Sequence, residues 1–456
     1  LKLILLSGGS GKRLWPLSND ARSKQFLRIL DSPGGSKESM VQRVWRQIKS
    51  AGLEDNAYIA TSYSQVEIIS NQLGNNINLV VEPERRDTFP AIALAATYLY
   101  SIEGISLDET IAVLPVDPFV QEDFFNVVKK LDDVLKISDA DLALIGVKPT
   151  YPSEKYGYII PDIKEKDYSF DHMSVKQFVE KPHKSKAEAM ISQNAFWNCG
   201  VFAFKLDYLI NILIDLELPI QYEAMLKQYN ILPAISFDYK VVEKANNIVV
   251  TAYDGYWKDL GTWNTLTDEM SNYIEGRGYI SEDSSNTHLI NELNLPVTIL
   301  GLSNIVVATS ADGILVSDKE ASPKIKDVLK GDNSRPMYEE RRWGTYQVLD
   351  YTKNSQGEQV LTKRICIKSG NNLSYQYHNF RDEMWTIISG EGELVLDDHL
   401  QTLKQGDLVR IPSKVLHSVK AKTDLEIIEV QMGTNLIEED IVRVKTDWAD
   451  IVAHCL

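Results

Sequence analysis

Ser7-Gly8-Gly9-Ser10-Gly11-Lys12-Arg13-Leu14-Trp15-Pro16 follows at once on a short apolar run, Leu3 to Leu6. A run of this kind, bounded by glycine, reads as a buried parallel strand. It feeds a turn in which Gly8, Gly9 and Gly11 alternate with serines and two cations follow. Glycines let backbone N–H groups approach a phosphate closely, and Lys12 and Arg13 would neutralise its charge. Spacing excludes two other phosphate loops. A Walker loop needs Gly six residues before its Lys and Ser or Thr after it, where this chain has Leu6 and Arg13. A dinucleotide fingerprint needs a third Gly where Leu14 stands. Two readings remain: a glycine-rich nucleotide loop of another kind, or an ordinary strand–helix turn with solvated cations.

The 456 residues are too many for one ordinary core, so two or three domains are expected. Hydrophobic content of 44% and charged content of 25% are normal for a soluble globular protein. No run of 18 apolar residues occurs, and the chain enters a strand at once instead of a signal peptide. Cys199, Cys366 and Cys455 are odd in number and widely spaced, which indicates neither a disulfide framework nor a zinc knuckle. A cytoplasmic protein is expected. The net charge of −16, from 48 basic and 64 acidic residues, argues against nucleic acid and against an anionic membrane as partners. An acidic protein that binds an anion must gather its cations locally, as Lys12, Arg13, Arg22 and Lys24 do.

From residue 40 to about 275 short apolar runs alternate with amphipathic stretches. Strands are expected at Ala57 to Ala60, Leu79 to Val81, Ile111 to Val116 and Leu142 to Val147, with helices at Val41 to Ile48, Gln65 to Leu73 and Ala91 to Ile102. This rhythm predicts a doubly wound α/β sheet, whose ligands gather at the carboxyl ends of strands. Asp117, just past the Ile111 strand, is placed to hold Mg²⁺ there, although taken alone Asp before Pro118 reads better as a turn. In Glu82-Pro83-Glu84-Arg85-Arg86-Asp87-Thr88-Phe89-Pro90, Asp87 or Thr88 can cap the following helix.

The opening loop, with Lys24 in Ser23-Lys24-Gln25-Phe26-Leu27, resembles the signature of the sugar-1-phosphate nucleotidylyltransferases, and within them the mannose-1-phosphate guanylyltransferase branch. Ser23 stands where that branch has Pro. Further segments resemble the same family in the same order: the Glu82 to Pro90 stretch, Leu114-Pro115-Val116-Asp117, Tyr156-Gly157-Tyr158-Ile159, Phe178-Val179-Glu180-Lys181-Pro182, Asn198-Cys199-Gly200-Val201-Phe202 and Trp257-Lys258-Asp259-Leu260-Gly261-Thr262. The resemblance implies a Rossmann-like nucleotidyltransferase domain. It implies Gly8, Gly9, Ser10, Gly11, Lys12, Arg13, Glu82, Arg86 and Thr88 on the nucleotide, and Tyr156, Gly157, Glu180, Lys181 and Asn198 on the sugar phosphate. Asp117 and Asp259 would be Mg²⁺ ligands, with Arg13 and Lys24 stabilising the reacting phosphates. The implied reaction converts GTP and mannose 1-phosphate to GDP-mannose and diphosphate. The sugar phosphate is itself an anionic nucleophile, so positioning and charge stabilisation suffice.

From about 280 to 335 short strands come at close spacing, and the resemblance implies a few coils of left-handed β-helix. Lys330 to Pro336 is polar and turn-rich, a linker. Beyond Met337 the strand rhythm predicts an antiparallel β-barrel. Its Gly370, Gln376, His378, Glu383, Gly390 and Gly406, Pro412, His417 spacings resemble cupins, and the set Gln376, His378, Glu383, His417 resembles the metal set of type II phosphomannose isomerases. Zn²⁺ or another divalent ion suits such ligands. Phe380 and Met384 replace two histidines of that motif. If either histidine carries protons, isomerase activity should be weak.

The expected boundaries are 1–278 for the transferase, 279–335 for the β-helix and linker, and 336–456 for the cupin. A homodimer or higher homo-oligomer is expected, and a chain ending near Asp332 should keep transferase activity. The competing reading is nucleotidyl transfer to another hexose or heptose 1-phosphate, with the barrel structural only.

Overall fold

Lys2–Leu6 is a strand with a fully buried centre, flanked in parallel by Ala57–Ser62 on one side and Thr110–Pro115 on the other. The computed structural model describes residues 1–9, 11–162, 172–331 and 334–455. Ser10, expected on the nucleotide, and Asp332 and Asn333 of the expected linker lie outside the described residues. The chain divides into two compact units. One comprises Leu1–Leu14, Ser23–Val66 and Leu73–Asn272, and the other Trp15–Arg22, Glu67–Gln72 and Tyr273–Leu456.

The first unit is built on a nine-stranded sheet. Asn78–Glu82 continues the parallel half beyond Ala57–Ser62. On the far side Phe196–Lys205 runs antiparallel to both Thr110–Pro115 and Leu142–Val147. Ile248–Tyr253, His172–Val179 and Tyr158–Pro161 complete the order. The sheet is therefore mixed, with a parallel nucleus as expected from the run of apolar strands. The helix Thr88–Ser101 is apolar on nearly every face because it is buried in the core against this nucleus. Asp87 caps it, accepting from Thr88 N at 2.8 Å. Two loops that leave the carboxyl ends of adjacent strands, after Leu6 and after Pro115, carry the glycine turn and Asp117.

In the second unit Ile274–Gly276, His288–Asn291 and Ile305–Ser310 stack as parallel rungs, with Gly278–Ile280 on Val297–Ile299 beside them. Leu289, Ile299 and Val307 fill the space between rungs. Polar ladders repeat the stacking: Ser285 Oγ donates to Ser303 Oγ at 2.9 Å and Asn286 Nδ2 to Asn304 Oδ1 at 2.8 Å. These are coils of a β-helix. The remainder folds into antiparallel sheets of six and five strands around a core that includes Tyr346, Leu361, Trp385, Leu394 and Ile427. The Trp15–Arg22 segment belongs to this unit through Arg22, which forms two hydrogen bonds to Glu292 at 2.8 and 3.0 Å, and through Asn19, which donates to Asp312 Oδ2 at 2.6 Å.

Candidate active site

Asp117 closes the turn after Thr110–Pro115, and Asp259 ends the strand Trp257–Asp259. Pro118–Val120 pairs antiparallel with Trp257–Asp259 in the register Asp259 to Pro118, so the ribbon sets the two carboxylates side by side. Lys24 Nζ lies 2.9 Å from Asp117 Oδ2 and 3.1 Å from Asp259 Oδ1. Burial tends to lower the Lys24 ammonium, but the two carboxylates outweigh it and hold the group charged. Burial likewise raises Asp259, and Lys24, Arg13 and Lys155 reverse that and keep it below the usual carboxylate range. A side chain on Gly261 would sit 3.0 Å from Asp259 Oδ2 and 3.4 Å from an Arg13 nitrogen, so glycine there lets guanidinium and carboxylate meet. All four residues assigned to the phosphates and metal thus converge. Both carboxylates face the same ammonium, and oxygen donors of this kind suit Mg²⁺.

Gly9 has φ of +140°, a conformation open to glycine, and space is free around both Gly8 and Gly9. Ser23, standing where the related motif has Pro, supports this turn. Its hydroxyl donates to Gly9 O at 3.4 Å and accepts from Gln65 Nε2 at 2.8 Å. Ser23 is buried, so these bonds replace the rigidity that proline would give.

The residues assigned to the sugar phosphate form a second cluster. A side chain at Gly157 would meet Glu180 Oε2 at 2.5 Å and Asn198 Cβ at 3.2 Å. Lys181 Nζ donates to Glu180 Oε1 at 2.6 Å, while Glu180 Oε2 is buried with no hydrogen-bond partner. Asn198 Nδ2 donates to Asp238 Oδ1 at 2.8 Å and Asn198 Oδ1 accepts from Gly200 N at 3.0 Å. Tyr156 stacks edge-on with Trp197 and Trp257, at centroid distances of 5.0 and 5.4 Å. Burial, Asp259 and Tyr151 together push the Tyr156 hydroxyl far up, so it is a neutral donor. Asp238 was not singled out from sequence, and Trp197 only as the residue that opens the Asn198 segment. Asp238 sits in an otherwise unremarked stretch, and only its acidity between Phe237 and Tyr239 distinguishes it.

Glu82, Arg86 and Thr88 are each engaged by protein groups. Tyr229 OH donates to Glu82 Oε2 at 2.6 Å, Arg86 donates to Leu232 O at 2.7 Å, and Thr88 Oγ1 accepts from Phe237 N at 2.8 Å. Together they tie residues 229–237 to the helix that Asp87 caps.

In the barrel His378, Glu383 and His417 are buried and offer ligand atoms within 4.8 Å of one another. His378 Nε2 is 3.0 Å from Glu383 Oε1, and His417 Nε2 is 3.6 Å from Glu383 Oε2. Val415 O lies 3.0 Å from His417 Nδ1, which puts the proton there and leaves Nε2, without a hydrogen-bond partner, as a lone pair toward Glu383. Burial pulls the His417 imidazole down to about 4, so it is neutral at physiological pH, as a ligand must be. This donor set fits a divalent ion. Gln376 pairs in register with His417, and its Oε1 accepts from Ser374 Oγ at 2.6 Å, which leaves one lone pair of that oxygen. Phe380 and Met384 are 56% and 39% exposed, while Glu383 and Trp385 are buried. Alternation along the strand Arg381–Ser389 puts Met384 on the opposite face from Glu383.

Residues 2–276 match the nucleotidyl transferase family, and residues 331–446 match the family described as mannose-6-phosphate isomerase C-terminal. The chain is 30% identical to the xanthan biosynthesis protein XanB of Xanthomonas campestris pv. campestris strain B100, over 98% of each chain. It is 29% identical to a mannose-1-phosphate guanylyltransferase of Salmonella muenchen, over 97% of each. A crystal structure described as mannose-1-phosphate geranyltransferase from Thermus thermophilus is similar with a TM-score of 0.60 and 28% identity, covering 72% of this chain and 98% of that one. A glycine turn followed by Lys24 between two carboxylates therefore stands in a chain that belongs to the nucleotidyl transferase family, in the form that carries a mannose-6-phosphate isomerase C-terminal domain.

Proposed function

We propose that the protein is a mannose-1-phosphate guanylyltransferase, forming GDP-mannose and diphosphate from GTP and mannose 1-phosphate in the cytoplasm. The observation that carries this reading is the meeting of Lys24, Asp117 and Asp259, with Arg13 beside them, at the strand ends next to the Gly157, Glu180, Lys181 and Asn198 cluster. Asp117 and Asp259 would hold Mg²⁺, which when bound supplies positive charge across the reacting phosphates. Arg13 and Lys24 stabilise charge on the phosphates as the bond to diphosphate breaks. Gly8 and Gly9 leave the backbone open to the nucleotide. Glu180 and Asn198 hold the sugar hydroxyls, and Lys181, half exposed, reaches the sugar phosphate. The oxygen of that phosphate attacks without a general base, because it is already ionised.

The relatives' names support mannose and guanine as the substrates' groups. Diphosphate release measured over a panel of nucleotides and sugar phosphates tests the reading. GTP with mannose 1-phosphate should give the highest kcat/KM, and preference for another hexose or heptose 1-phosphate would overturn it. For the barrel, the buried His378, Glu383 and His417 cluster supports a divalent ion, Zn²⁺ among the candidates, and interconversion of fructose 6-phosphate and mannose 6-phosphate. Metal analysis of the purified protein and an isomerase assay check both parts.

A further inference from the structure

The cluster around Gly157 contains one carboxylate more than the signature segments supply. Asp238 lies in the short helix Phe237–Lys240, which is fixed from below by the buried Phe237 ring against Phe202 and Phe204, at centroid distances of 5.2 and 5.7 Å. Ser236 caps it, its Oγ accepting from Tyr239 N at 3.3 Å. The Asp238 side chain is only partly buried, and one of its oxygens accepts from Asn198 Nδ2 at 2.8 Å. The Asn198 amide cannot turn over without loss, because its oxygen already accepts from Gly200 N. Asn198 N in turn donates to Gly157 O at 2.8 Å, which ties Asp238 to the glycine that leaves the space open. Across that space Glu180 Oε2 is buried and accepts nothing from the described residues. A buried acceptor without a donor is unfavourable, and a ligand offering hydroxyl donors removes that cost.

We propose that Asp238 is a further sugar-recognition residue of the transferase site, a second carboxylate acceptor beside Glu180 for the sugar hydroxyls and the group that fixes the amide of Asn198. A polyol presents several O–H donors close together, and carboxylates are acceptor-only groups that match them. Lys181 balances one of the two negative charges, by its bond to Glu180 at 2.6 Å. The second has no such partner among the described hydrogen bonds, and burial and the Glu180 charge push Asp238 up to about 7. Donors from a bound sugar would stabilise it.

This inference rests on the proposed guanylyltransferase reading, and the test separates the two. In the full chain, Asp238→Asn keeps an acceptor oxygen for Asn198 and removes the charge, whereas Asp238→Ala removes both. Diphosphate release should show the KM for mannose 1-phosphate raised about 10-fold in the first variant and about 100-fold in the second. The KM for GTP should stay within about twofold in both, with kcat changing less than the sugar KM. Equal changes in both KM values, or failure of both variants to fold and bind GTP, would make Asp238 a structural strut, and no change in either would leave it without a role; each outcome overturns the proposal. If the unmodified protein releases no diphosphate with mannose 1-phosphate, the substrate reading fails instead. The same KM split is then read with whichever sugar phosphate it accepts.

Discussion

At the scale of single residues the site is a problem in charge, and substitutions there should change rate before they change stability. Asp117→Ala or Asp259→Ala removes one of two carboxylates that face Lys24 and leaves the other. Losing one preorganised electrostatic group costs about 3–4 kcal/mol, so diphosphate release should slow roughly 100- to 1000-fold with an unchanged melting transition. Near-normal rates from both would take them out of the mechanism. Lys181→Ala should raise the KM for mannose 1-phosphate far more than the KM for GTP, since its only described partner is Glu180 in the sugar cluster. Equal effects would refute that assignment. The residues of these two clusters could be singled out in the sequence because each sits in a short distinctive motif. Asp238 could not, because its link to Asn198 is made only by folding. Ser23 carried a signal that could be seen but not weighed, since its replacement of proline makes sense only with Gln65 and Gly9 beside it.

At the scale of elements, pairing decides which residues meet. No sequence pattern set Asp259 beside Asp117; the three-residue ribbon between Pro118–Val120 and Trp257–Asp259 does. In the barrel the opposite holds, because period-two alternation around Glu383 already puts Met384 on the outer face. Restoring Phe380→His and Met384→His together should therefore leave the metal content and isomerase rate of the protein unchanged, and a large gain would show that these positions reach the cluster after all. His378→Ala or His417→Ala should abolish the ion, read by elemental analysis after dialysis. Lys363 in the same sheet and Glu438 in the turn Glu438–Asp440 form a pH-sensitive pair. Burial raises Glu438, but Lys363, Arg341 and Arg381 outweigh it and hold the carboxyl down at about 2, with Lys363 Nζ donating to it at 2.6 Å. A carboxylate whose folded value lies below its unfolded one stabilises the fold above the unfolded value, near 4.5, and that contribution is lost as pH falls toward 2. Glu438→Gln should thus lower the melting temperature at pH 7 and make less difference near pH 2. A gap that widens on acidification would contradict the pairing.

At the scale of the whole chain, the order of motifs along the sequence made the transferase, β-helix and barrel segments legible, but not which residues each unit recruits. The β-helix coils repeat at 18 residues, Ser285-Asn286 over Ser303-Asn304, a repeat too short and too polar to stand out until the ladders are seen. Trp15–Arg22 belongs with the second unit although it continues the opening motif. Arg22 explains why. Besides its two bonds to Glu292, its guanidinium lies 5.0 Å over the Tyr338 ring and 3.8 Å from Glu340, both beyond the expected linker. Asp312, which accepts from Asn19, also accepts from Met337 N at 2.6 Å. A chain ending near Asp332 keeps every assigned transferase residue and the Glu292 bonds, but loses Tyr338, Glu340 and Met337 N. It should therefore retain diphosphate release from GTP and mannose 1-phosphate while melting at a lower temperature than the full chain. Arg22→Ala in the full chain tests the same contacts from the other side, and should lower the melting temperature by more than the truncation does, because the Glu292 bonds go as well. A folded truncation without activity would show that Tyr338–Arg341 is needed to hold Trp15–Arg22, only two residues before Lys24. A truncation as stable as the full chain would show that Glu292 alone suffices for Arg22.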